Sequence, residues 1–222
     1  MSSNPFKNGR FLPAPGTEYP FSISDIARAA AQLIGDDWDA DADAGCRGAS
    51  GVMESADGDF YLVKVGDTGK TNEELYVECD VDRRILPNLG PGNALELLAD
   101  AVAITVRTMQ HDDDAAEPWD VGQHLMAACA ARGRRTAVDP HSAGTCIVLA
   151  GHNQGEITIS GASRTGGDVC VDYAPEDHER WTAVLRHGED TTLVYESPVM
   201  PGDFAEDTAA LLYAVLPYAV SA

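Results

Sequence analysis

Lysine is almost absent from this chain of 222 residues. Its three copies are Lys7, Lys64 and Lys70, and all basic residues together number 15 against 36 acidic ones, which leaves a formal net charge of −21. Clustered Lys and Arg side chains are what hold nucleic-acid phosphates and anionic lipid headgroups. The charge balance therefore argues against stable binding to bare nucleic acid or to an anionic membrane.

Cysteine spacing provides neither a disulfide framework nor a zinc motif. The five cysteines are odd in number, widely separated and never arranged as C-x-x-C, a pattern typical of reduced and mostly buried thiols. They are Cys46, Cys79, Cys129, Cys146 and Cys170. No apolar segment follows Lys7 and Arg10 to form a signal peptide. We therefore expect a cytoplasmic protein that needs no structural metal, disulfide or cofactor.

Long hydrophobic runs are also missing. The most apolar stretches are interrupted by Glu96 and Asp100 or by Pro217, so they are too short to span a bilayer. Apolar residues still make up 44% of the chain and charged residues 23%, which is the composition of a globular protein. A chain of this length can bury a core as one domain or as two small ones.

A repeated helix start organises the chain. Residues 91–96 read PGNALE and residues 201–206 read PGDFAE, so Asn93 and Asp203 are each followed three positions later by Glu. This is the pattern of a capping box, in which the cap oxygen accepts from a backbone N–H of the first turn. After Asn93 the polar residues Glu96, Asp100 and Arg107 fall on one stripe, which favours a helix with one solvated face. The repeat predicts an internal duplication.

The predicted fold is α+β, with two pseudo-repeated units of helix, three-stranded antiparallel sheet and helix. The divisions are an extended arm at 1–21, a first unit at 22–110, an acidic linker at 111–118 and a second unit at 119–222, enlarged by an extra hairpin. The first helix should run from Ile23 to Ile34, begin at Ser22 with Asp25, and end at Gly35. The expected strands are 51–55, 60–65 and 74–81 in the first unit, 145–150, 156–160 and 168–173 in the second, and 181–187 with 191–197 in the hairpin. We expect 36–50 and 83–91 to be loops.

Three segments resemble ligand-binding motifs without completing them. The stretch 66–71, GDTGKT, lacks the earlier glycine and the following helix of a phosphate-binding loop. Asp39, Asp41 and Asp43 have the spacing of a calcium loop, but Ala44 stands where that loop needs glycine. His111 precedes three aspartates in the linker, where adjacent side chains cannot converge on one ion. We interpret all three as solvated turns or tethers.

Catalytic residue types occur together once, at Asp139, His141, Ser142 and Cys146. His152, His178 and His187 are further candidate bases. Geometry decides such sites, and no nucleophile signature surrounds Ser142 or Cys146. Cys146 lies in an apolar stretch that should form a buried strand, where its thiol would be unreactive.

The sequence thus favours a non-enzymatic acidic module that binds and modulates another protein. A basic or DNA-binding protein of a bacterial, phage or mobile-element system would suit the charge. One alternative is a nucleic-acid mimic that blocks a DNA-binding protein, and another is a small enzyme that uses His141 and Cys146. The protein itself is expected to be a monomer or a homodimer.

The N-terminal arm is the candidate partner-binding segment. Its prolines keep it extended, and it combines apolar side chains with two of the few basic ones. The candidate residues are Phe6, Lys7, Arg10, Phe11, Leu12 and Tyr19. The arm either reaches a partner or packs on the body of its own chain.

Deleting residues 1–20 separates these two outcomes. If the arm acts in trans, we expect the truncated protein to keep its circular dichroism spectrum and Tm while it loses binding to its partner. Thermal melting and size-exclusion chromatography measure both properties. A Tm lower by several degrees with unchanged assembly would instead make the arm part of the core.

Overall fold

The chain divides into two compact units, Met1–Val106 and Arg107–Ala222. The structure is a computed structural model, and it describes residues 20–42, 50–66, 74–112, 115–141, 144–166, 170–198 and 203–221. The candidate residues of the arm, Phe6 to Tyr19, lie outside the described residues. The boundary between the units falls inside a helix, close to its end and just before the predicted linker.

The first unit is a helix, a five-stranded sheet and a second helix. Its strands pair in chain order as an antiparallel meander. The helices are α1 (Ile23–Ile34) and α2 (Leu95–Gln110), and the strands are β1 (Trp38–Ala42), β2 (Ser50–Ser55), β3 (Phe60–Val65), β4 (Leu75–Glu78) and β5 (Arg83–Leu86).

Helix α1 has the predicted bounds and caps. The Ser22 side chain accepts from the Asp25 N–H, the Asp25 carboxylate accepts from the Ser22 N–H, and Gly35 forms the C-cap. The helix packs on the inner face of the sheet, where Gly51 lets the two backbones approach closely. Met53, Val63 and Val77 are fully buried beneath it.

The second unit has the same order of elements. Its meander runs from β6 at one edge to β10 at the other. The helices are α3 (Val121–Ala131) and α4 (Phe204–Val215), and the strands are β6 (Thr136–His141), β7 (Gly144–Ala150), β8 (Glu156–Ser163), β9 (His178–His187) and β10 (Asp190–Glu196). Helix α4 packs against β9 and β10, and α3 against β6 and β7.

The α+β class is confirmed, but in the described part of the chain the first sheet has five strands rather than the three expected. The segment 36–50, expected to be a loop, contains β1, whose sequence WDADA alternates small or apolar residues with aspartate as a half-buried strand does. The segment 83–91, also expected to be a loop, contains β5. In both cases a short edge strand rich in charged residues had been expected to be a loop.

The second sheet corrects two further expectations. Strand β6 was not among the expected strands; it contains Pro140, which is tolerated on an edge strand such as this one. The strand expected at 168–173 is absent from its described part, where Cys170 makes only an isolated bridge to Gly161. The predicted extra hairpin is β9 with β10, so it completes a sheet of the same size as the first. The internal duplication stays a prediction that the shared element order supports.

Of the two predicted helix caps, Asp203 directly precedes its helix, whereas Asn93 lies two residues before the first residue of α2. Asp203 caps α4, since its carboxylate accepts from the Ala205 N–H at 2.8 Å. Helix α2 begins at Leu95, and the Asn93 amide oxygen accepts from the Gly90 N–H at 2.7 Å. The expectation that Asp100 and Arg107 lie on a solvated face of α2 is wrong, because these residues are only 5% and 7% exposed. Within the described ranges, no helix is long and apolar enough to cross a bilayer.

The contact of α1 with β2 can be tested at Gly51. A Cβ atom there would lie 2.6 Å from the Ala27 Cβ and 2.9 Å from the Ser24 Cα, so backbone would have to move. We expect Gly51→Ala to destabilise the protein by about 1–3 kcal/mol, as overpacking does, and to lower its Tm. Gly92→Ala is the control, because nothing lies within 4 Å of the added atom. Equal melting of both variants would contradict the packing.

Candidate functional site

A buried carboxylate lies at the centre of the second unit. Asp207, in the first turn of α4, is 3% exposed. Its Oδ2 atom is 2.8 Å from Nε2 of His178 and accepts from the Ser197 hydroxyl at 2.6 Å. Its Oδ1 atom accepts from the Tyr195 hydroxyl at 2.6 Å. With Tyr173, which contacts His178, these residues form what we call the Asp207 network.

The network joins four segments of the chain. His178 is the first residue of β9 and follows the short 3₁₀ turn Pro175–Asp177. Tyr195 comes just after a β-bulge in β10, and Ser197 follows the end of that strand. The bulge rotates the strand locally, which turns Tyr195 towards the helix. The carboxylate therefore connects α4 to the start of β9 and the end of β10.

The hydrogen bonds determine the tautomer of His178. A carboxylate can only accept, so Nε2 carries the proton and donates to Asp207. In the neutral ring Nδ1 then accepts from the Tyr173 hydroxyl, at 2.9 Å. Gly161 leaves room for that hydroxyl, which lies where a Cβ atom would stand. The imidazole is thus held at both nitrogens.

Both tyrosines are held in their protonated form. Burial raises the pKa of Tyr173, and the negative charge of Asp207 adds to the effect. Burial also raises the pKa of Tyr195, as does its hydrogen bond to the same carboxylate. A phenolate next to a buried carboxylate would be strongly unfavourable. The two hydroxyls therefore act as donors.

Trp181 packs beside the Asp207 network and stabilises it. Trp181 is fully buried, its backbone N–H donates to the Ser197 oxygen at 2.6 Å, and its indole N–H donates to Thr208 at 3.0 Å. The ring of Phe204 contacts both His178 and Trp181, at centroid distances of 5.3 and 6.2 Å. Helix α4 is therefore fixed to β9 by polar and aromatic contacts together.

The network contains serine, histidine and aspartate, the residue types of a hydrolytic triad. In a triad the serine hydroxyl donates to histidine, whose other nitrogen donates to aspartate. Here the Ser197 hydroxyl donates to Asp207, and His178 Nδ1 accepts from Tyr173. The arrangement suits a structural role, in which a buried charge is satisfied by several donors.

Of the sequence-predicted catalytic residues, His178 belongs to the Asp207 network, whereas Asp139, His141 and Cys146 lie elsewhere, on β6 and β7. Asp139 pairs directly with Cys146, and His141 ends β6 opposite Gly144, whereas Ser142 lies outside the described residues. Cys146 is 4% exposed, and burial, followed by the charge of Asp139, raises the pKa of its thiol. Less thiolate is therefore available for nucleophilic attack.

The remaining candidate bases and motifs are dispersed. His152 lies in a 3₁₀ turn and His187 at the end of β9. Asp39 and Asp41 lie in β1, while Asp43 and most of the segment 66–71 are outside the described residues. His111 stacks on Trp119 with ring centroids 4.0 Å apart. Among the described residues, no group of three or more His, Cys, Asp or Glu side chains could hold a metal ion.

Sequence reasoning missed the Asp207 network, although one signal was available. In α4 the apolar stripe is Phe204, Leu211 and Val215, and Asp207 falls on that stripe between them. A carboxylate at a core position requires buried donors. Which donors would meet it depends on β9 and β10, so the partners could not be named from spacing alone.

A second feature is a hollow on the outer face of the first sheet, the side opposite α1. It has a volume of about 330 Å³ and is lined by Phe60, Leu62, Lys64, Glu78, Cys79 and Asp80. We call it the Phe60 hollow. Phe60 is 44% exposed, and Val81, in the adjoining turn, is 93% exposed. The hollow therefore places solvent-accessible apolar surface beside charged side chains.

Ion pairs border the Phe60 hollow. Glu78 accepts from Lys64 at 3.2 Å and from Arg83 at 3.1 Å, and the Arg83 guanidinium lies 4.4 Å from the centre of the Tyr76 ring. The hydrogen bond from Lys64 lowers the pKa of the Glu78 carboxyl. Glu78 is therefore ionised at neutral pH, and two cations are already engaged with it.

No protein-family model, no curated protein and no solved structure matches this chain significantly. The proposed function therefore rests on the fold, on the buried Asp207 network and on the Phe60 hollow at the surface.

The structural role of the Asp207 network can be tested by removing the carboxylate. Asp207→Ala leaves three buried donors without their acceptor, so we expect a loss of about 3 kcal/mol or more in the free energy of unfolding. Tyr195→Phe removes one hydrogen bond and should lose about 1 kcal/mol. Urea denaturation measures both.

The control for this series is Asp190→Ala, because Asp190 is an exposed residue of β10. Its stability should stay within about 0.5 kcal/mol of the wild type. If Asp207→Ala behaved like this control, the network would not be what holds α4.

Proposed function

We propose that this protein is a non-enzymatic, cytoplasmic module that binds a partner protein through its first sheet and modulates that partner. The observation that carries the proposal is the Phe60 hollow. Protein-binding hot spots combine a solvent-accessible apolar pocket with charged groups at its edge. The hollow has this composition. Helix α1 packs on the opposite face of the same sheet.

The hollow also indicates the chemistry of the partner. Lys64 and Arg83 are engaged with Glu78, whereas Asp80 lies at the rim and is exposed. Glu54, which pairs directly with Phe60, and Asp57, in the turn between β2 and β3, are also exposed. A partner segment with an apolar side chain flanked by Lys or Arg would fit both the hollow and its acidic rim.

The distribution of reactive groups supports a binding role over a catalytic one. His178 and Asp207 are buried and hydrogen-bonded within the Asp207 network, and the thiol of Cys146 is buried. Cys79, Cys146 and Cys170 are free thiols, as expected in a reducing compartment such as the cytoplasm.

The proposal can be tested by site-specific photocrosslinking. A benzophenone amino acid replaces Phe60 in one sample and Tyr213, an α4 residue that is 57% exposed, in the control. We expect a defined protein adduct in extracts of the native host from position 60 and none from position 213. The adduct should weaken at high salt and with Asp80→Lys, because both reduce attraction to a basic partner.

Two results would overturn the proposal. One is the same adducts from both positions, which would indicate nonspecific contact. The other is an adduct at position 60 that neither Asp80→Lys nor salt affects, which would contradict the inferred partner chemistry. The identity of the adduct also reports whether the partner is a DNA-acting protein.

A further inference from the structure

The outer face of the second sheet is distinct from the Phe60 hollow. Trp181 points towards α4, where its indole donates to Thr208, so its neighbours on alternate positions of β9 point the other way. These neighbours are Thr182 and Val184, which are partly exposed, and Arg186, which is exposed. The face opposite the helices of this unit is therefore accessible along β9, the strand next to the edge strand β10.

Uncharged side chains cross this face in register. Leu193 pairs with Val184, Val184 with Thr158, and Thr158 with Val148, so one row runs through β10, β9, β8 and β7. Thr182 and Ser160 form a pair in the next row. We call these six residues the neutral face. Leu193 is 56% exposed, and the other five are partly exposed.

Charges of both signs border the neutral face. Arg186 pairs directly with Glu156 at one end, and Glu196 pairs with Thr182 near the other, where Arg180 also lies. On the outer face of β8, β9 and β10 these two arginines and two glutamates cancel. A neutral centre with a charged rim is the anatomy of a protein–protein interface, here on a chain of charge −21.

We propose that the neutral face docks against the same face of a second copy of this chain. Two copies with a charge of −21 each repel one another, so they can meet only where the net charge is small. The neutral face satisfies this condition and carries both signs at its rim, which allows it to complement itself about a two-fold axis. This inference is independent of the Phe60 hollow.

The register of the strands suggests how the rims would meet. A two-fold axis that passes Val184 and crosses the strands places each β9 antiparallel over the other. Arg186 of one copy then lies over the end of the partner that carries Thr182 and Glu196. Symmetry repeats this contact, so each dimer contains two such arginine–glutamate pairs.

The area of the neutral face indicates how strong a dimer to expect. Four strands, β7 to β10, spaced at 4.8 Å and about six residues long cover roughly 400 Å². Stable interfaces bury about 800 Å² on each partner. We therefore expect a weak dimer, populated at tens to hundreds of micromolar protein. Added salt should strengthen it, since screening reduces the repulsion between the two acidic chains.

Sedimentation equilibrium of the full chain tests the proposal between micromolar and millimolar concentration. We expect the average mass to rise from 23.5 kDa towards twice that value. Val184→Asp and Leu193→Lys should each stay monomeric. Leu193 is the more exposed of the two, so its variant tests the proposal even if Val184→Asp folds poorly. Phe60→Ala should dimerise as the wild type does.

A charge swap tests the arrangement itself. Arg186→Glu should weaken the dimer at least tenfold, and the double variant Arg186→Glu/Glu196→Arg should restore it. A monomer at every concentration, or a dimer that the neutral-face variants leave unchanged, would overturn the proposal. So would a dimer lost in Phe60→Ala but kept in Leu193→Lys, because self-association would then use the first sheet.

Discussion

The second unit depends on one buried carboxylate. Asp207 is almost completely removed from water, and its charge is compensated by His178, Ser197 and Tyr195. These donors come from both strands at one edge of the sheet, so they can converge only when α4, β9 and β10 are assembled together. Because a buried charge without donors is strongly unfavourable, the network selects one position for the helix. Apolar packing alone would tolerate small shifts that these directional bonds exclude.

Several reactive residue types of the described chain meet in the Asp207 network. Serine, histidine and aspartate meet in the second unit, yet the order of donation differs from that of a hydrolytic triad, and the tyrosine hydroxyls hold the remaining acceptors. Residue types alone would suggest catalysis here, whereas the hydrogen-bond partners of each residue favour a structural role. The same distinction applies to Cys146, whose burial raises its pKa and opposes thiolate chemistry.

Local signals predicted part of this fold well. The bounds of α1 followed from Ser22, Asp25 and Gly35, because capping is decided by neighbours in sequence. Strands β1 and β5 escaped prediction, because short edge strands rich in charge receive much of their stability from the neighbouring strand. Neither the Asp207 network nor the Phe60 hollow could be predicted, since each brings together side chains from separate strands or helices.

The net charge of the chain bears on both proposed contacts. On a surface of charge −21, most positions repel another copy of the chain and attract any basic molecule without discrimination. Specific recognition then requires places where shape or local neutrality adds to charge. The Phe60 hollow adds apolar shape to an acidic rim, which favours a basic partner. The neutral face instead removes the repulsion, which favours a second copy. The two proposed contacts, with a basic partner and with a second copy, would thus be separated by the local charge of two different sheets.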